Sequence, residues 1–500
     1  MDASGYDIYA TNMKTISARA LMLIAAANNL EVLTGDIGQA YLYARNSMDV
    51  AVKLGLDFHM FDDSIPVGEL ARVEQALYGC QVSAHQWHAH LADTLLSMGF
   101  MPTRFDSDVW MRLNKDKSSY DYIGTHTDDL MVVGHGAKEI FEDLRKVYTI
   151  KVVAPPSFHL GCDYKVIDGE WHVGTVTYVN ECLKKVAAIL GKFDPNDPEP
   201  RLGTEATPMG TSFEPEADES DYLDAEGHRK FQQLIGIAHW LVTIGRIDLN
   251  FAVASLSRFS AAPRKNHLKE AIRMFKYLNG HPERWIKIDP TPHKTMGDAP
   301  LDDPFAPQDK ANWTRLYGDL KEELDPKFPK PLMKALTTAV YFDSNWAHDK
   351  KTRRSITGII AFIGNTPVSW SSKRQGAIAT STYSAEMMAG RCGAEEVISL
   401  RYMLRSMGVP LAGPTALIGD NLGSLMTAAN PGADCKKRHV SIAWHYLREC
   451  QVMGALVLKK IDTKQNPSDA NTKALDKGTF LSFCDFLFAK CQNNKRKIRH

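Results

Sequence analysis

Apolar side chains recur at helical spacing at Ile16, Ala20, Leu23, Ile24 and Ala27, behind the candidate cap Thr15, and this spacing predicts an amphipathic helix. Residues 31–35 then read as a short strand that delivers Asp36. A second helix is expected over 83–98, with Trp87, Leu91, Leu95 and Met98 on one face and Gly99 as its stop. Apolar runs at 109–113, 122–127 and 130–134 follow, divided by the polar turn 114–118 and by the pair Asp128 and Asp129. They predict a β-meander whose last hairpin carries two carboxylates at its tip.

Beyond residue 150 the pattern changes. Residues 158–166 read as a hairpin arm, and the acidic, proline-bearing stretch 199–226 as a surface loop. A helical block is expected from Phe231 through Leu256 and again from Leu268 to Leu278, ending at Asn279 and Gly280. Prolines among charged residues over 281–331 predict a linker or an elaborated insertion. The last segment orders three strands (338–342, 357–363, 367–371), a long helix (384–407), a strand (416–418), two helices (422–429, 439–453) and a strand (455–461). That order predicts a mixed sheet with helices packed on it. Trp240 and Trp444 fall on apolar helical faces and are expected in the core.

Five hundred residues exceed one hydrophobic core and suggest about three domains. Lys+Arg of 59 against Asp+Glu of 59 leaves no net field, which argues mildly against a dedicated nucleic-acid binder and is compatible with a polymerase. The cysteines Cys80, Cys162, Cys182, Cys392, Cys435, Cys450, Cys484 and Cys491 form no CxxC pair, so reduced thiols in an intracellular protein are expected. The first ten residues lack a basic and apolar leader pattern, and no run of ~18 apolar residues occurs, so neither export nor membrane spanning is expected.

The candidate chemistry is carboxylate chemistry. Asp343 and Asp420 each stand just beyond an expected strand, Glu386 in the first turn of the long helix, and Asp469 within 466–473. Each has a structural reading, as a turn cap or a helix-dipole partner. Together they favour a metal site, in which four carboxylates hold two Mg²⁺ about 3.5 to 4 Å apart and position a water against a phosphodiester. Hard oxygen ligands point to Mg²⁺ or Mn²⁺ rather than zinc. Asp36 with Asp128 and Asp129 suggests a second metal-binding constellation suited to nucleotidyl transfer. An Asp-Asp pair is also an ordinary turn, and its weight here comes from Asp36 and the order of the motifs.

Asp343-Ser344-Asn345-Trp346-Ala347, Gly358, Pro367-Val368-Ser369-Trp370-Ser371-Ser372-Lys373, Ser384-Ala385-Glu386, Asp420-Asn421, His439 and Ser468-Asp469 resemble the RNase H domain of copia-type (Pseudoviridae) retrotransposon polyproteins. Asp36-Ile37-Gly38-Gln39-Ala40-Tyr41, Ala76-Leu77-Tyr78-Gly79, Trp87, Gly99-Phe100, Asp128-Asp129, Leu160-Gly161, Thr207-Pro208-Met209, Leu256-Ser257-Arg258-Phe259 and Tyr277-Leu278 resemble the reverse transcriptase of the same family, in the same order. The resemblance implies an α+β multidomain chain: a reverse-transcriptase palm without fingers (1–165), a thumb-like helical region (166–280), a linker or insertion (281–335), an RNase H-like mixed α/β sheet domain (336–478) and a terminal tail (479–500). It implies Asp343, Glu386, Asp420 and Asp469 as metal ligands for hydrolysis of RNA in RNA:DNA hybrids, with His439 assisting product release. It implies Asp36 and Asp128 as ligands of the two polymerase metals, Asp129 beside them, Tyr41 under the incoming sugar, and Tyr78 and Gly79 in the nucleotide pocket. Two Mg²⁺ or Mn²⁺ per site, an RNA template, a DNA primer and deoxynucleotides are the implied cofactors and partners, in a cytoplasmic virus-like particle or the nucleus.

Departures shape the expectation for synthesis. His126 and Thr127 stand where the family has an aromatic-hydrophobic pair, and Cys80-Gln81-Val82-Ser83-Ala84-His85 lacks the two basic residues of the family string. The basic fingers that clamp a triphosphate are not among these residues, so little DNA synthesis is expected from this chain alone. The alternative reading is a catalytically inactive or co-opted nucleic-acid-binding remnant; a cellular nuclease unrelated to transposons is a third, which the palm-like motifs disfavour. Lys436, Lys437 and Arg438 could steer nucleic acid or simply start a solvated helix, and the basic residues 495–500 read as a frayed terminus or a backbone-binding patch.

Overall fold

A computed structural model describes residues 9–192, 202–304, 310–435 and 437–489 of the chain. Lys436, Cys491 and the basic terminus 495–500 lie outside the described residues, as do the first eight residues and the start of the expected acidic loop. The chain divides into two compact units, Met1–Leu21 with Asn29–Pro156, and Met22–Asn28 with Ser157–His500.

Helix α1 (Thr15–Asn28), whose residues through Leu21 belong to the first unit, precedes strand β1 (Glu31–Ile37) in the chain. A small hairpin, β2 (Ala51–Lys53) and β3 (Leu70–Arg72), brackets the short helix α2 (Leu56–Phe61), and α3 (Ser83–Ser97) follows. Then come β4 (Met101–Pro102), β5 (Val109–Leu113), β6 (Tyr120–His126), β7 (Asp129–Gly134), α4 (Ala137–Arg145) and β8 (Ile150–Ala154). The meander read from the sequence is present, and β1 is inserted beside its last strand to give an antiparallel sheet in the order β4-β5-β6-β7-β1-β8. The predicted inner face of α3, Trp87, Leu91 and Leu95, joins Leu33 and Ile37 of β1 and Ile140 and Phe141 of α4 in one core. Burial of this stripe, rather than helix propensity, holds α3 in place.

The second unit opens with β9 (Phe158–His159), β10 (Cys162–Ile167), β11 (Glu170–Gly174) and α5 (Val176–Ile189). The helices α6 (Ala225–Ile244), α7 (Asn250–Ser257) and α8 (Lys265–Gly280) form the predicted block. Trp240 departs from expectation: it is 40% exposed, because the inner stripe of α6 is made by Phe231, Leu234, Ile235, Ala238 and Leu241 and residue 240 falls outside it. Trp444 is buried as expected. The stretch 202–224 carries buried carboxylates rather than only solvated ones, since Glu216 pairs with Arg258.

The expected linker is anchored at several points. Strand β12 (Trp285–Lys287) completes a four-stranded sheet in the order β12-β11-β10-β9. His293 bonds Gly364 O at 3.0 Å and the Tyr341 hydroxyl at 2.9 Å, Tyr317 on α9 (Lys310–Tyr317) bonds His445 at 2.8 Å, and Glu322 accepts from Arg401 at 2.8 Å. Prolines erase periodicity here, while isolated aromatic and charged side chains do the docking.

The remaining strands β13 (Thr338–Asn345), β14 (Ile356–Ile363), β15 (Thr366–Arg374), β16 (Thr415–Gly419) and β17 (Leu456–Lys460) form the expected mixed sheet, in the order β15-β14-β13-β16-β17. The first three pair antiparallel, and β16 is parallel to both β13 and β17. Every residue of β14 is buried, which fits a strand covered on both faces. Helices α10 (Thr382–Ser406), α11 (Leu422–Ala429) and α12 (Ser441–Val452) accompany the sheet. Residues 477–487, read from sequence as mostly terminal tail, form helix α13 (Lys477–Leu487). Its Phe480, Phe483, Cys484 and Leu487 share a single hydrophobic core with α5–α8 and with Tyr341, Ile360 and Ile418 of the mixed sheet.

Candidate functional site

Asp343 lies inside β13 rather than beyond it, because pairing with β14 continues to Asn345 opposite Ile356. Glu386 stands one turn into α10, which starts earlier than expected, at Thr382, with Ser381 as its cap. Asp420 follows the end of β16, and Asp469 sits in the 3-10 turn Pro467–Asn471. Ligand oxygens of Asp343, Glu386 and Asp420 all lie within 4.8 Å of one another. Asp343 and Glu386 are only 5% and 3% exposed.

Neighbouring hydroxyls orient these carboxylates. The Thr472 hydroxyl donates to Asp343 Oδ2 at 2.6 Å. The Ser344 hydroxyl donates to Glu386 Oε1 at 2.9 Å, while Glu386 Oε2 is buried without a hydrogen-bond partner. Asp469 Oδ1 accepts from Lys473 at 2.8 Å. Burial first, and then the charges of Asp469 and Asp420, push Asp343 up to about 7. Burial and the charges of Asp343 and Asp420 hold Glu386 well above the ordinary carboxylate range, and Asp420 is raised chiefly by burial. Crowded hard oxygens, with Asp343, Glu386 and Asp420 all pushed toward their neutral forms, and an orphaned buried oxygen are the features a divalent cation would relieve, so the donor set fits Mg²⁺ or Mn²⁺.

His439 lies in the short turn Arg438–Val440 ahead of α12, exposed at the rim, with Nε2 3.1 Å from the Ser384 hydroxyl and 3.3 Å from that of Thr380. It is not part of the carboxylate group. Lys437 bonds the Ser381 hydroxyl at the start of α10, which gives one member of the basic trio a local structural partner.

In the first unit, Asp36 lies within β1 and directly opposite Asp129 of β7, and Ile37 N–H donates to Asp128 O at 3.0 Å. The hairpin thus brings the three aspartates read from the sequence to one place. Burial, then Asp128 and Asp36, raise Asp129. The sequence reading missed Lys151 of β8, whose ammonium is 2.6 Å from Asp36 Oδ2; nothing local in the sequence marks it, since only the β1·β8 pairing brings it there. Among the described residues, the grouping at ligand spacing is Asp343, Glu386 and Asp420, and Asp36, Asp128 and Asp129 do not form another. Thr127 adopts a left-handed φ of 57°, costly for a β-branched residue. Its peptide is gripped on both sides: the Trp87 indole donates to Thr127 O at 2.7 Å, and Asn12 Oδ1 accepts from Thr127 N–H at 2.9 Å. The rings of Tyr41 and Tyr78 meet at 4.5 Å, and Gly79, with φ 93°, has open space where a side chain would be.

Residues 3–192 match the family described as Reverse transcriptase (RNA-dependent DNA polymerase). Over 476 residues, 94% of this chain, it is 24% identical to the Retrovirus-related Pol polyprotein from transposon RE1 of Arabidopsis thaliana. The chain resembles the Pol polyproteins of copia-type retrotransposons over nearly its whole length. The likeness extends to the Retrovirus-related Pol polyprotein from transposon TNT 1-94 of Nicotiana tabacum, 22% identical over 477 residues and 95% of this chain. The chain spans 28% of the length of the RE1 polyprotein and 32% of the TNT 1-94 polyprotein. A mixed α/β multidomain fold with a reverse transcriptase domain agrees with this likeness, and reverse transcriptases generally use divalent metals. Among the described residues no helix is long and apolar enough to cross a membrane.

Proposed function

We propose that this chain hydrolyses the RNA strand of RNA:DNA hybrids at the Asp343, Glu386, Asp420 and Asp469 site, in an RNase H-like domain on β13–β17, and that the Asp36, Asp128 and Asp129 site serves RNA-directed DNA synthesis in the intact parent polyprotein. In this reading the first unit is the palm and the α5–α8 region is thumb-like. The observation that carries the first proposal is the convergence of three carboxylates from three separate elements within 4.8 Å.

Asp343, Glu386, Asp420 and Asp469 would hold the cations. When bound there, divalent cations supply an activated water and stabilise the leaving oxygen of the phosphodiester. The chain's own contribution is preorganisation. Thr472 fixes the rotation of Asp343, and Ser344 occupies one oxygen of Glu386 so that the other faces inward without a partner. Lys473 neutralises part of the local charge through Asp469. His439, exposed beside Ser384, is a rim group that would assist product release. In the palm, Tyr41 and Tyr78 would flank the incoming deoxynucleotide beside Gly79, with Asp36 and Asp128 as metal ligands.

A second reading, a remnant whose polymerase half is silent, is favoured by Lys151, whose ammonium satisfies Asp36. The test uses labelled RNA annealed to DNA, incubated with the full chain and Mg²⁺, Mn²⁺ or EDTA. Metal-dependent cutting of the RNA strand alone supports hybrid hydrolysis; tight hybrid binding without cutting supports the remnant.

A further inference from the structure

Helix α7 lies about ninety residues upstream of the mixed sheet in sequence, yet its first residue touches the turn that carries Asp469. The Asn250 amide donates from Nδ2 to Asn471 Oδ1 at 3.0 Å, and both residues are buried. Asn471 in turn donates from its own Nδ2 to Ile359 O of β14 at 3.1 Å. We infer that Asn250 is a positioning residue for the Asp469 carboxylate, acting through Asn471; the inference rests on the metal-site reading above.

A side-chain amide has one donor end and one acceptor end, so its orientation is set by what each end meets. Asn250 offers a donor to Asn471 Oδ1, and this leaves Asn471 Nδ2 facing the strand carbonyl. With Asn250 removed, Asn471 loses the partner that selects this orientation, and the turn Pro467–Asn471 loses one of its ties to β14. Other ties of this segment to the sheet include Asn466 Nδ2 to Phe342 O of β13 at 2.9 Å and the close approach of Ser468 O over Gly358 of β14. Asn250 is itself held rigidly. The turn Ile247–Leu249 ahead of α7 contains Asp248, which pairs with the fully buried Arg246 at 2.6 Å and accepts from the Tyr277 hydroxyl at 2.7 Å. A residue locked from behind, bonded to a residue two positions from a metal ligand, has the placement of an outer-sphere support.

The test is calorimetric Mn²⁺ and Mg²⁺ binding to the full chain, with melting curves alongside, for the wild type, Asn250→Ala, Asn250→Ser and Trp370→Phe. Outer-sphere losses typically weaken metal affinity 10- to 100-fold, so both Asn250 variants are expected to bind metal at least about 10-fold more weakly while still melting cooperatively. Trp370→Phe removes a bond from the same helical region to the sheet, the indole donating to Val242 O at 3.0 Å, away from the Asp469 turn. It is expected to melt earlier with metal affinity unchanged. Metal affinity within twofold of wild type in folded Asn250→Ala and Asn250→Ser overturns the inference and leaves the metal site standing. Absence of metal binding in the wild type overturns both.

Discussion

Asp343 and Gly358 face each other across β13 and β14, and the missing side chain at 358 is what admits the turn carrying Asp469. A Cβ at Gly358 would stand 2.7 Å from Ser468 O and 2.9 Å from Asn471 Cβ. One strand pair therefore presents a metal-ligand candidate and, on the same face, seats the turn that carries a second.

Gly358→Ala is accordingly expected to displace the Asp469 turn. Overpacking of this kind costs roughly 1–3 kcal/mol, and loss of Asp469 geometry should lower hybrid cleavage at least about tenfold. Melting curves and single-turnover cleavage check the two effects separately. Wild-type cleavage in the variant would contradict the seating role of the glycine.

Stability without metal should fall as pH rises. Asp343 in the folded chain titrates near 7, above its ordinary range, and Glu386 and Asp420 are also raised. A carboxyl with a raised folded pKa binds more protons folded than unfolded, so its ionisation penalty is absent below about pH 4 and grows until about pH 7. The melting temperature in EDTA should decline across that window for the second unit. At about 100 times its dissociation constant, added Mg²⁺ should return about 2.7 kcal/mol at pH 7.5. Asp420→Asn should flatten the decline; a flat profile in the wild type would contradict the buried-carboxylate account.

The two candidate sites should be separable. Asp128→Asn is expected to leave RNA-strand cleavage unchanged, while Asp343→Asn abolishes it. Primer extension by the isolated chain is expected to be weak or absent, since Asp36 is bound to Lys151. Lys151→Ala should leave the melting temperature nearly unchanged, as both partners are exposed to solvent and screened. Robust extension by the wild-type chain would sink this expectation.

Trp87→Phe removes the indole N–H that holds Thr127 O in its left-handed turn. Loss of one buried hydrogen bond costs about 1 kcal/mol, and hydrogen exchange should report faster opening at residues 126–130. Unchanged exchange there would show that the hairpin holds itself.

Much of this was legible in the sequence where local pattern and burial agree. The apolar runs around Asp128 and Asp129, the α3 stripe of Trp87, Leu91 and Leu95, and the strand and helix order after residue 338 were all readable, because strands buried throughout show as apolar runs and the half-buried helix as an apolar stripe. The convergence of Asp343, Glu386 and Asp420 was also anticipated. What the sequence did not reveal depends on contacts far apart in the chain. Lys151 reaches Asp36 only through sheet pairing, Asn250 reaches Asn471 only through the shared core, and β12 is three residues long in a stretch dominated by prolines. Trp240 was misjudged because an apolar residue near a buried stripe need not lie on it.

The most direct measurement is cleavage of a labelled RNA:DNA hybrid by the full chain in Mg²⁺ or Mn²⁺, with Asp343→Asn and Asp420→Asn beside the wild type. RNA-strand cutting by the wild type, lost in both variants and in EDTA, is the result predicted here. A wild type that binds the hybrid and does not cut it, or variants that cut as well as the wild type, would contradict the assignment of these carboxylates as a hydrolytic metal site.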